Sequence, residues 1–307
     1  MMDRLSKPYI ALMLTCLIWG TTYLVNKLGV TQIPVFLFTS TRQLISGGLL
    51  LMYLFIIKKH PWPDTRYLLF QGMMALFMIT LGNGIGTYGL AYIDSGVSAI
   101  LAAVSPVIIA LLTIYLKPDE QLNRIGWLGI ITGFGGVVMI CFDKLAPAAN
   151  HDSTVLGFIF TLISVVAWGF GSVISKTRHF EYSPLLAAGF QMFFGGIPLA
   201  IIALFVGVPN DFHVTANMLI IWIYLIGLGS IVAFSCYIYA LKHLPATLVS
   251  IQSYINPIIA IFLGVLFLQE KVSFQLIIGA VLTFIGVFLV NYSQYRRRKK
   301  LVKININ

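Results

Sequence analysis

The chain has 307 residues and a formal net charge of +10, yet only 10% of its residues are charged and 59% are hydrophobic. Because a soluble domain carries about a quarter charged residues, this chain has too few polar side chains to cover a globule in water. Its apolar residues come in blocks of about 17–25, the length of a helix that crosses a ~30 Å hydrocarbon core. The sequence therefore predicts a multi-spanning α-helical membrane protein, since lipid offers exposed backbone groups no hydrogen-bond partner.

Ten apolar segments follow one another along the chain. The predicted spans are 8–28, 34–57, 67–92, 95–116, 124–142, 154–175, 184–206, 218–240, 246–268 and 272–292. The connections between them are short, and the longest spans 143–154. Loops of this length argue against a receptor or a structural protein that must recognise a large partner, so no obligate protein partner is predicted.

The basic residues are distributed unevenly between the two sides of the predicted bundle. With the N-terminus in the cytoplasm, sixteen Lys and Arg fall on the inner side, whereas the outer loops hold Lys144 and Lys271. This is the positive-inside pattern, so we expect both termini in the cytoplasm. The basic tail, 293–307, is then expected to contact anionic lipid of the bilayer. The same distribution argues against a nucleic acid as a partner.

The second half of the sequence repeats motifs of the first half. LIWGTTYLVNK at 17–27 aligns with VAWGFGSVISK at 166–176, and RQLISGG at 42–48 aligns with FQMFFGG at 190–196. Self-similarity that recurs in register over so many residues indicates an internal repeat.

The two copies cover 10–142 and 155–292, and each holds five predicted spans. Because five is odd, the second copy enters the membrane upside down relative to the first. Inverted repeats are an architecture of transporters, in which two halves move around a central site. The predicted fold class is therefore an all-α integral membrane protein with ten transmembrane helices in two inverted five-helix repeats.

Several of the repeated motifs are shared with a known family. Trp-Gly occurs early in the first span of each copy, Ser105-Pro106 and Asn256-Pro257 lie in equivalent spans, and a glutamate follows each of those spans. Over nearly the whole chain, this pattern resembles the EamA family of the drug/metabolite transporter superfamily. The resemblance implies an inner-membrane exporter or facilitator with a central cavity between the halves. Members of the family are associated with amino acids, sugars, nucleotide derivatives and drugs.

Pro106 and Pro257 occupy equivalent places in the fourth and ninth spans. Proline has no amide hydrogen and frees the carbonyl four residues earlier, here those of Ala102 and Ser253. A freed carbonyl at membrane depth must face protein, water or substrate. The two prolines are therefore predicted either to act as hinges that line the site or to be packing kinks that neighbouring helices accommodate.

Polar residues recur at helical spacing inside several spans, and such faces are expected to point away from lipid. Each either forms interhelical hydrogen bonds or lines a cavity. The two deep tryptophans either fill the core or wall the cavity with an indole face. The residues that we predict to bind substrate are Trp19, Thr22, Tyr23, Arg42, Asn83, Tyr88, Trp168, Gln252 and Asn256.

Arg42 is the most informative of these residues, because a central membrane arginine costs ~2.5–3.5 kcal/mol on insertion scales. Its counterpart in the second copy is Phe190, so the charge breaks the symmetry of the repeats. The fork of donors on a guanidinium suits a carboxylate or a phosphate, which makes Arg42 the predicted partner of an anionic substrate group. The alternative is that Arg42 reaches the membrane surface or bonds freed carbonyls.

Several kinds of chemistry have no sequence signature. All ten acidic residues and all five histidines fall in loops or at the ends of spans. Because a buried carboxylate is the usual group for proton coupling, we expect facilitation or exchange, with Glu181 or Asp94 as the remaining candidates for a proton-linked step. No Walker A motif or metal-ligand spacing is present, so neither a cofactor nor a metal nor enzymatic activity is predicted.

The sequence as a whole predicts a transporter of small organic metabolites that works by alternating access around a cavity between the repeats. Amino acids or related zwitterions are the first substrate class, on the strength of the resemblance, the aromatic and amide lining and Arg42. The alternative is efflux of hydrophobic drugs or toxic metabolites.

Overall fold

The protein is described by a computed structural model that covers residues 2–116, 123–145, 151–175, 178, 180–244, 246–249 and 252–304. Within these ranges the regular structure consists of helices and contains no strand. Glu120, the glutamate that follows the fourth predicted span, and the last three residues of the basic tail lie outside them.

Nine of the described helices are long and apolar enough to cross a membrane, and a tenth, α9, is shorter. The spans are Lys7–Val30 (α1), Val35–Ile57 (α2), Thr65–Leu90 (α3), Ser95–Leu112 (α4), Arg124–Asp143 (α5), Asp152–Ile174 (α6), Pro184–Val206 (α7), Ala216–His243 (α8), Gln252–Leu268 (α9) and Phe274–Ser293 (α10). This confirms the prediction of an all-α, multi-spanning membrane protein. The helix of α1 already begins at Met2, and that of α10 continues to Ile304, so the described part of the basic tail prolongs the last helix.

Three spans are not regular α-helices along their whole length. α2 ends in a π-helical turn at Tyr53–Ile57, and α3 and α8 contain π-helical stretches at Leu76–Ile85 and Leu225–Val232. α3 and α8 are the third spans of their repeats, so this irregularity is duplicated together with the sequence. π-helical turns displace backbone carbonyls from the regular ladder and are frequent at functional sites.

α4 is interrupted in its middle. Its first helix, Ser95–Ala102, is separated by a turn from its second helix, Ser105–Leu116. The Ser105 hydroxyl donates to the carbonyl of Ala102, the group that Pro106 leaves without an amide partner. In α9, by contrast, Pro257 lies inside a helix that continues on both sides. The proline in α4 thus coincides with a break, whereas a role of either proline as a hinge stays a prediction.

The loops gather at two opposite ends of the bundle. We call the end that holds 58–64, 180–183 and 242–244 the terminal face, because α1 begins and α10 ends there. The end that holds 91–94 and 269–273 is the distal face. The positive-inside pattern predicts that the terminal face lies in the cytoplasm.

The two repeats, α1–α5 and α6–α10, interlock. α1 packs against α8 and α9, α2 packs along α7, α3 packs against α6, and α4 contacts both α6 and α9. Glycine permits the close approach of α2 and α7, since a Cβ atom on Gly47 would lie 2.4 Å from the backbone nitrogen of Phe193. The wall of any space at this interface is therefore built from both repeats.

Candidate functional site

A cavity of about 160 Å³ lies between the two repeats, and α1, α2, α3, α4, α6 and α9 form its wall. Of the nine residues predicted from the sequence to bind substrate, the structure brings eight to this wall. They are Trp19, Thr22, Tyr23, Arg42, Asn83, Trp168, Gln252 and Asn256. Their contact with a substrate stays a prediction, but their convergence from several spans makes this cavity the candidate site.

Among the described residues that line the cavity, Arg42 is the one that carries a charge. Its side chain is 3% exposed. Nε donates to Oγ of Ser230 at 2.8 Å, and Nη1 donates to Oδ1 of Asn26 at 3.0 Å. Arg42 is thus held from α8 and from α1 inside the bundle. It neither reaches the membrane surface nor bonds the carbonyls that the prolines free.

The charge of Arg42 is not balanced by these contacts. Its hydrogen bonds within the described part of the chain go to a hydroxyl and to an amide oxygen, which are both neutral. An ion pair needs the opposite charge to offset the desolvation of a buried guanidinium. The cavity wall therefore holds an excess positive charge that an anionic oxygen would stabilise.

α9 and α6 add polar atoms to the wall. In the amide orientation that its neighbours support, Asn256 donates to the carbonyls of Cys16 at 2.9 Å and Gln252 at 3.2 Å, so its own amide is engaged in packing α9 onto α1. Gln252 Oε1 and Thr161 Oγ1 are buried and have no hydrogen-bond partner among the described residues. Both residues line the cavity, and buried polar atoms are nearly always paired, so each of these oxygens lacks a partner that such an atom normally has.

The repeat-equivalent tryptophans meet at the terminal end of the cavity. The rings of Trp19 and Trp168 are edge to face, with centroids 5.5 Å apart, and Phe234 and Tyr237 pack against both. Trp19 donates its Nε1 hydrogen to the carbonyl of Gly229 at 3.0 Å, within the π-helical stretch of α8. The two indoles are therefore both cavity wall and core. We call these four rings the aromatic layer.

Lys27 lies on the distal side of the site, one residue beyond Asn26 of the cavity wall. Its Nζ donates to the carbonyls of Leu90 at 2.8 Å and Ile93 at 2.7 Å, where α3 ends. The carboxylates of Asp94 and Glu270 are close enough to attract it electrostatically. A cation at the C-terminal end of a helix interacts favourably with the helix dipole, so this contact ties α1 to α3.

Glu270 makes the corresponding contact on the other side of the distal face. Its carboxylate accepts hydrogen bonds from the amides of Ser95 at 2.7 Å and Gly96 at 3.1 Å, which begin α4. A carboxylate that caps a helix N-terminus is stabilised by the free amides and by the dipole. The segment after α9 is thereby fixed to α4 at the distal face.

Asn83 and Thr22 line the cavity, and each side chain already makes one hydrogen bond within the protein. Asn83 Oδ1 accepts from Nε2 of Gln43 at 2.9 Å, which joins α3 to α2. The Thr22 hydroxyl donates to the carbonyl of Trp19 at 2.8 Å, within its own helix. Thr22 therefore contributes an oxygen that can still accept, and Asn83 retains its amide hydrogens.

Tyr88 is the predicted residue that the structure does not place in the cavity wall. Its ring stacks on Phe36 with centroids 5.0 Å apart, and its hydroxyl accepts from the Tyr92 hydroxyl at 2.8 Å. Thr87, its neighbour in the helix, does line the cavity. Because successive helical residues point about 100° apart, Tyr88 is turned toward α2 and the distal end of α3.

Sequence reasoning missed three polar residues near Arg42 and Gln252. Thr161 precedes Ser164 by three positions, so it extends the polar face of α6 and was detectable from spacing. Ser98 lines the cavity from an otherwise apolar part of α4. Ser230 is 188 residues from Arg42 in the chain, and no local pattern indicates that pairing.

Comparison with known proteins agrees with this architecture. The model of the EamA-like transporter family matches the chain twice, at 6–142 and 155–292. Uncharacterized transporter YoaV of Bacillus subtilis is 26% identical over 295 residues, which are 95% of this chain and 99% of that protein. Uncharacterized inner membrane transporter YedA of Escherichia coli is 28% identical over 255 residues, which are 83% of this chain and 80% of that protein. One crystal structure shares the fold, with a TM-score of 0.65 over 95% of this chain and 98% of its own at 19% identity.

The duplicated helical bundle, its central cavity and these relatives define a multi-pass membrane transporter. The chain belongs to the EamA-like transporter family, within the drug/metabolite transporter superfamily. This confirms the resemblance carried by the repeated Trp-Gly and the paired prolines.

Proposed function

We propose that the protein moves amino acids with neutral side chains, or closely related zwitterions, by alternating access around the central cavity. The proposal rests chiefly on Arg42, a buried guanidinium whose described partners are neutral oxygens. A substrate carboxylate would balance this charge through charge-assisted hydrogen bonds, which are about twice as strong as neutral ones.

The rest of the cavity suits the other parts of such a substrate. Gln252 Oε1 and Thr161 Oγ1 lack partners among the described residues and can accept hydrogen bonds from an ammonium group. The indole faces of Trp19 and Trp168 offer apolar contact to a neutral side chain. No carboxylate side chain lies among the described residues of the wall, so a basic side chain on the substrate would meet only the repulsion of Arg42.

Alternating access then requires two barriers that open in turn. On the distal side, Lys27 must leave the carbonyls at the end of α3 and Glu270 must leave the amides at the start of α4. On the terminal side, Trp19 and Trp168 must separate. Inverted repeats supply this motion, because each half can adopt the conformation of the other. In this proposal the terminal face is cytoplasmic, and the protein works as an exporter or a facilitator.

Uptake into liposomes tests the proposal. Purified protein is reconstituted, and the entry of radiolabelled L-alanine, L-leucine, L-lysine and L-glutamate is measured with and without an imposed pH gradient. We expect saturable uptake of the two neutral amino acids without a gradient, and a much higher KM for them in an Arg42→Ala variant that still folds. Uptake that requires the gradient would replace facilitation by proton coupling and would direct attention to Asp94 and Glu181.

The same liposomes separate this proposal from drug efflux. A lipophilic cation such as ethidium is added as a further substrate and followed by its fluorescence. Because Arg42 is positively charged and buried, we expect no protein-dependent ethidium transport. Ethidium transport that persists in the Arg42→Ala variant, together with silence toward all four amino acids, would contradict the proposal and favour the efflux alternative.

A further inference from the structure

A second cavity, of about 150 Å³, lies beneath the terminal face. Its wall comes from α3, α7, α8 and the segment that follows α6, so both repeats again contribute. The aromatic layer adjoins both cavities, because Trp168 lines the central one and Tyr237 precedes Ile238, which lines the second one. Along α6, Trp168 belongs to the central cavity and Ser175 to the second one. The two cavities are therefore consecutive along the axis of the bundle, and we call the second one the terminal cavity.

Two glutamines form a polar floor in the terminal cavity. Gln191 Nε2 donates to Oε1 of Gln71 at 2.7 Å, and the two residues are 2% and 4% exposed. Beside them, Tyr67 is 2% exposed. Gln191 Oε1 and the Tyr67 hydroxyl have no hydrogen-bond partner among the described residues. Three buried polar side chains thus line one space, and two of their oxygens are unpaired.

Packing alone does not account for this floor. A buried polar group without a partner costs ~1–3 kcal/mol, and an apolar pair of the same shape avoids that cost. Gln191 is the repeat equivalent of Gln43, whose amide nitrogen likewise reaches α3, at Asn83 on the central cavity. In both halves of the molecule, the glutamine therefore donates to an α3 side chain that lines a cavity, Asn83 in one half and Gln71 in the other.

The rim of the terminal cavity is positively charged. Arg178 and Lys242 line it and are exposed. Lys242 Nζ donates to the carbonyl of Tyr182 at 2.9 Å, which leaves it two further hydrogens. The nearby carboxylates of Asp64 and Glu181 are not part of the wall, and that of Asp64 accepts from the Tyr182 hydroxyl at 3.3 Å. The cavity therefore combines cations at its mouth with hydrogen-bond acceptors at its floor.

We propose that the terminal cavity is a second binding subsite for neutral α-amino acids, occupied on the way to or from the central cavity. The substrate carboxylate binds at Arg178 and Lys242, and its ammonium group donates to Gln191 Oε1 and the Tyr67 hydroxyl. The ring of Phe180, which contacts Tyr67 with centroids 5.2 Å apart, packs against the apolar side chain. The choice of substrate class rests on the proposed function of the central cavity.

Equilibrium binding of radiolabelled L-leucine to the full chain in lipid nanodiscs tests this subsite. We expect the wild-type protein to bind about two molecules per chain at saturation, one in each cavity. Gln191→Leu and Arg42→Ala should each leave one site, and the double variant none. Gln275→Leu, an exposed glutamine at the start of α10, is the matched control and should retain both.

A milder variant guards against misfolding. Tyr67→Phe keeps the ring and removes the unpaired hydroxyl, and we expect it to weaken one of the two leucine sites about 10-fold, the effect of losing a hydrogen bond to a charged group. One leucine site in the wild type that disappears in Arg42→Ala but not in Gln191→Leu would overturn the subsite and leave the proposed function intact. No leucine binding to the wild type, with no amino acid uptake, would overturn both.

Discussion

The same position of the two repeats carries opposite chemistry in α2 and α7. Arg42 in α2 is enclosed by the oxygens of Ser230 and Asn26. Its counterpart Phe190 in α7 is equally buried, but it lies among aromatic rings, including those of Phe55 at 6.1 Å and Trp62 at 6.0 Å between centroids. Duplication has thus preserved the helix and its depth, whereas the environment of this position has diverged completely.

This difference makes the two repeats chemically unequal at positions that are equivalent in sequence. Gln43 and Gln191, the next residues, both bond to α3, at Asn83 and Gln71. Asn83 of the first pair lines the central cavity, which holds the buried charge of Arg42, whereas both glutamines of the second pair line the terminal cavity, whose charged residues are exposed. The two halves of an inverted repeat can exchange conformations. The buried charge that faces the central cavity, however, comes from α2 alone among the described residues of its wall.

Of the substitutions that test this comparison, Phe190→Ala, which removes the aromatic side chain in α7, should have the largest effect on stability. Truncation of a buried phenylalanine to alanine typically costs ~3–5 kcal/mol, because a cavity remains and packing contacts are lost. We expect Phe190→Ala to lower the apparent melting temperature in nanodiscs by roughly 5 °C or more. The change is followed by intrinsic tryptophan fluorescence.

The same variant should leave substrate affinity intact. Phe190 does not line the central cavity, so the affinity of that cavity for L-leucine, and with it the KM for uptake, should stay within about twofold of wild type when only properly folded protein is counted. An unchanged melting temperature, or a large rise in KM, would show that Phe190 is more than packing. Phe190→Leu, which retains most of the volume, serves as the conservative control.

Removing Arg42 should give the reverse pattern. A hydrogen bond to a charged group contributes ~1.5–3 kcal/mol, so we expect Arg42→Ala to raise the KM for L-leucine about 30-fold, by loss of the carboxylate partner. The melting temperature of Arg42→Ala should fall little, because the described partners of Arg42 are neutral and the substitution leaves no buried counter-ion unpaired. Proteoliposome uptake and thermal unfolding are measured on the same preparation.

Arg42→Lys sharpens this result. A lysine preserves the charge but not the planar fork, and it cannot hold Ser230 and Asn26 together in the same geometry. Its KM should therefore lie between wild type and Arg42→Ala. If lysine and alanine behave alike, geometry dominates over charge, and if lysine restores wild-type uptake, the fork is not required.

The sequence was informative about the architecture because membrane crossing is a local property. Apolar runs of sufficient length predict spans, and the repeated Trp-Gly predicts duplication, with no knowledge of contacts. Most of the residues that we predicted from polar spacing also line one cavity wall, because a polar face of a membrane helix is turned away from lipid. Tyr88 does not line that wall, because it adjoins the polar face of α3 without belonging to it.

The sequence does not predict in the same way which residues surround each side chain. Ser230 meets Arg42 across 188 residues, and a glycine-rich stretch gives no indication that it will be π-helical. The terminal cavity was overlooked for a related reason. Gln71 and Gln191 each appear as a lone amide in an apolar run, and only the packing of α3 against α7 reveals that they form a pair.

Breaking the Gln43 bridge should have a smaller effect than removing Arg42. Gln43→Leu deprives Asn83 Oδ1 of its donor, but it also removes Gln43 Oε1, which is buried without a described partner. A neutral hydrogen bond contributes ~0.5–1.5 kcal/mol, so we expect the KM for L-leucine to rise about fivefold as Asn83 becomes mobile, with stability nearly unchanged. Gln191→Leu is the matched variant and should leave the central site unaffected in the binding assay. If both variants weaken leucine binding to the central site equally, the two glutamines do not act on separate cavities.

Substitution of Ser230 should have the smallest effect on KM. It tests whether substrate binding depends on the orientation of the Arg42 guanidinium or only on its charge. Its hydroxyl accepts from Nε of Arg42 at 2.8 Å, while Nη1 remains bound to Asn26, so Ser230→Ala removes one of two contacts that orient the fork. We expect a rise in KM of only about threefold, less than the ~1.5–3 kcal/mol of a hydrogen bond to a charged group, because Asn26 still holds the guanidinium. Ser230→Thr, which restores the hydroxyl, should recover the wild-type KM. Because the charge is untouched, the maximal rate should stay within about twofold of wild type. A KM that does not respond to Ser230→Ala, beside a large response to Arg42→Ala, would mean that Asn26 alone orients the guanidinium and that the contribution of α8 to the site is packing.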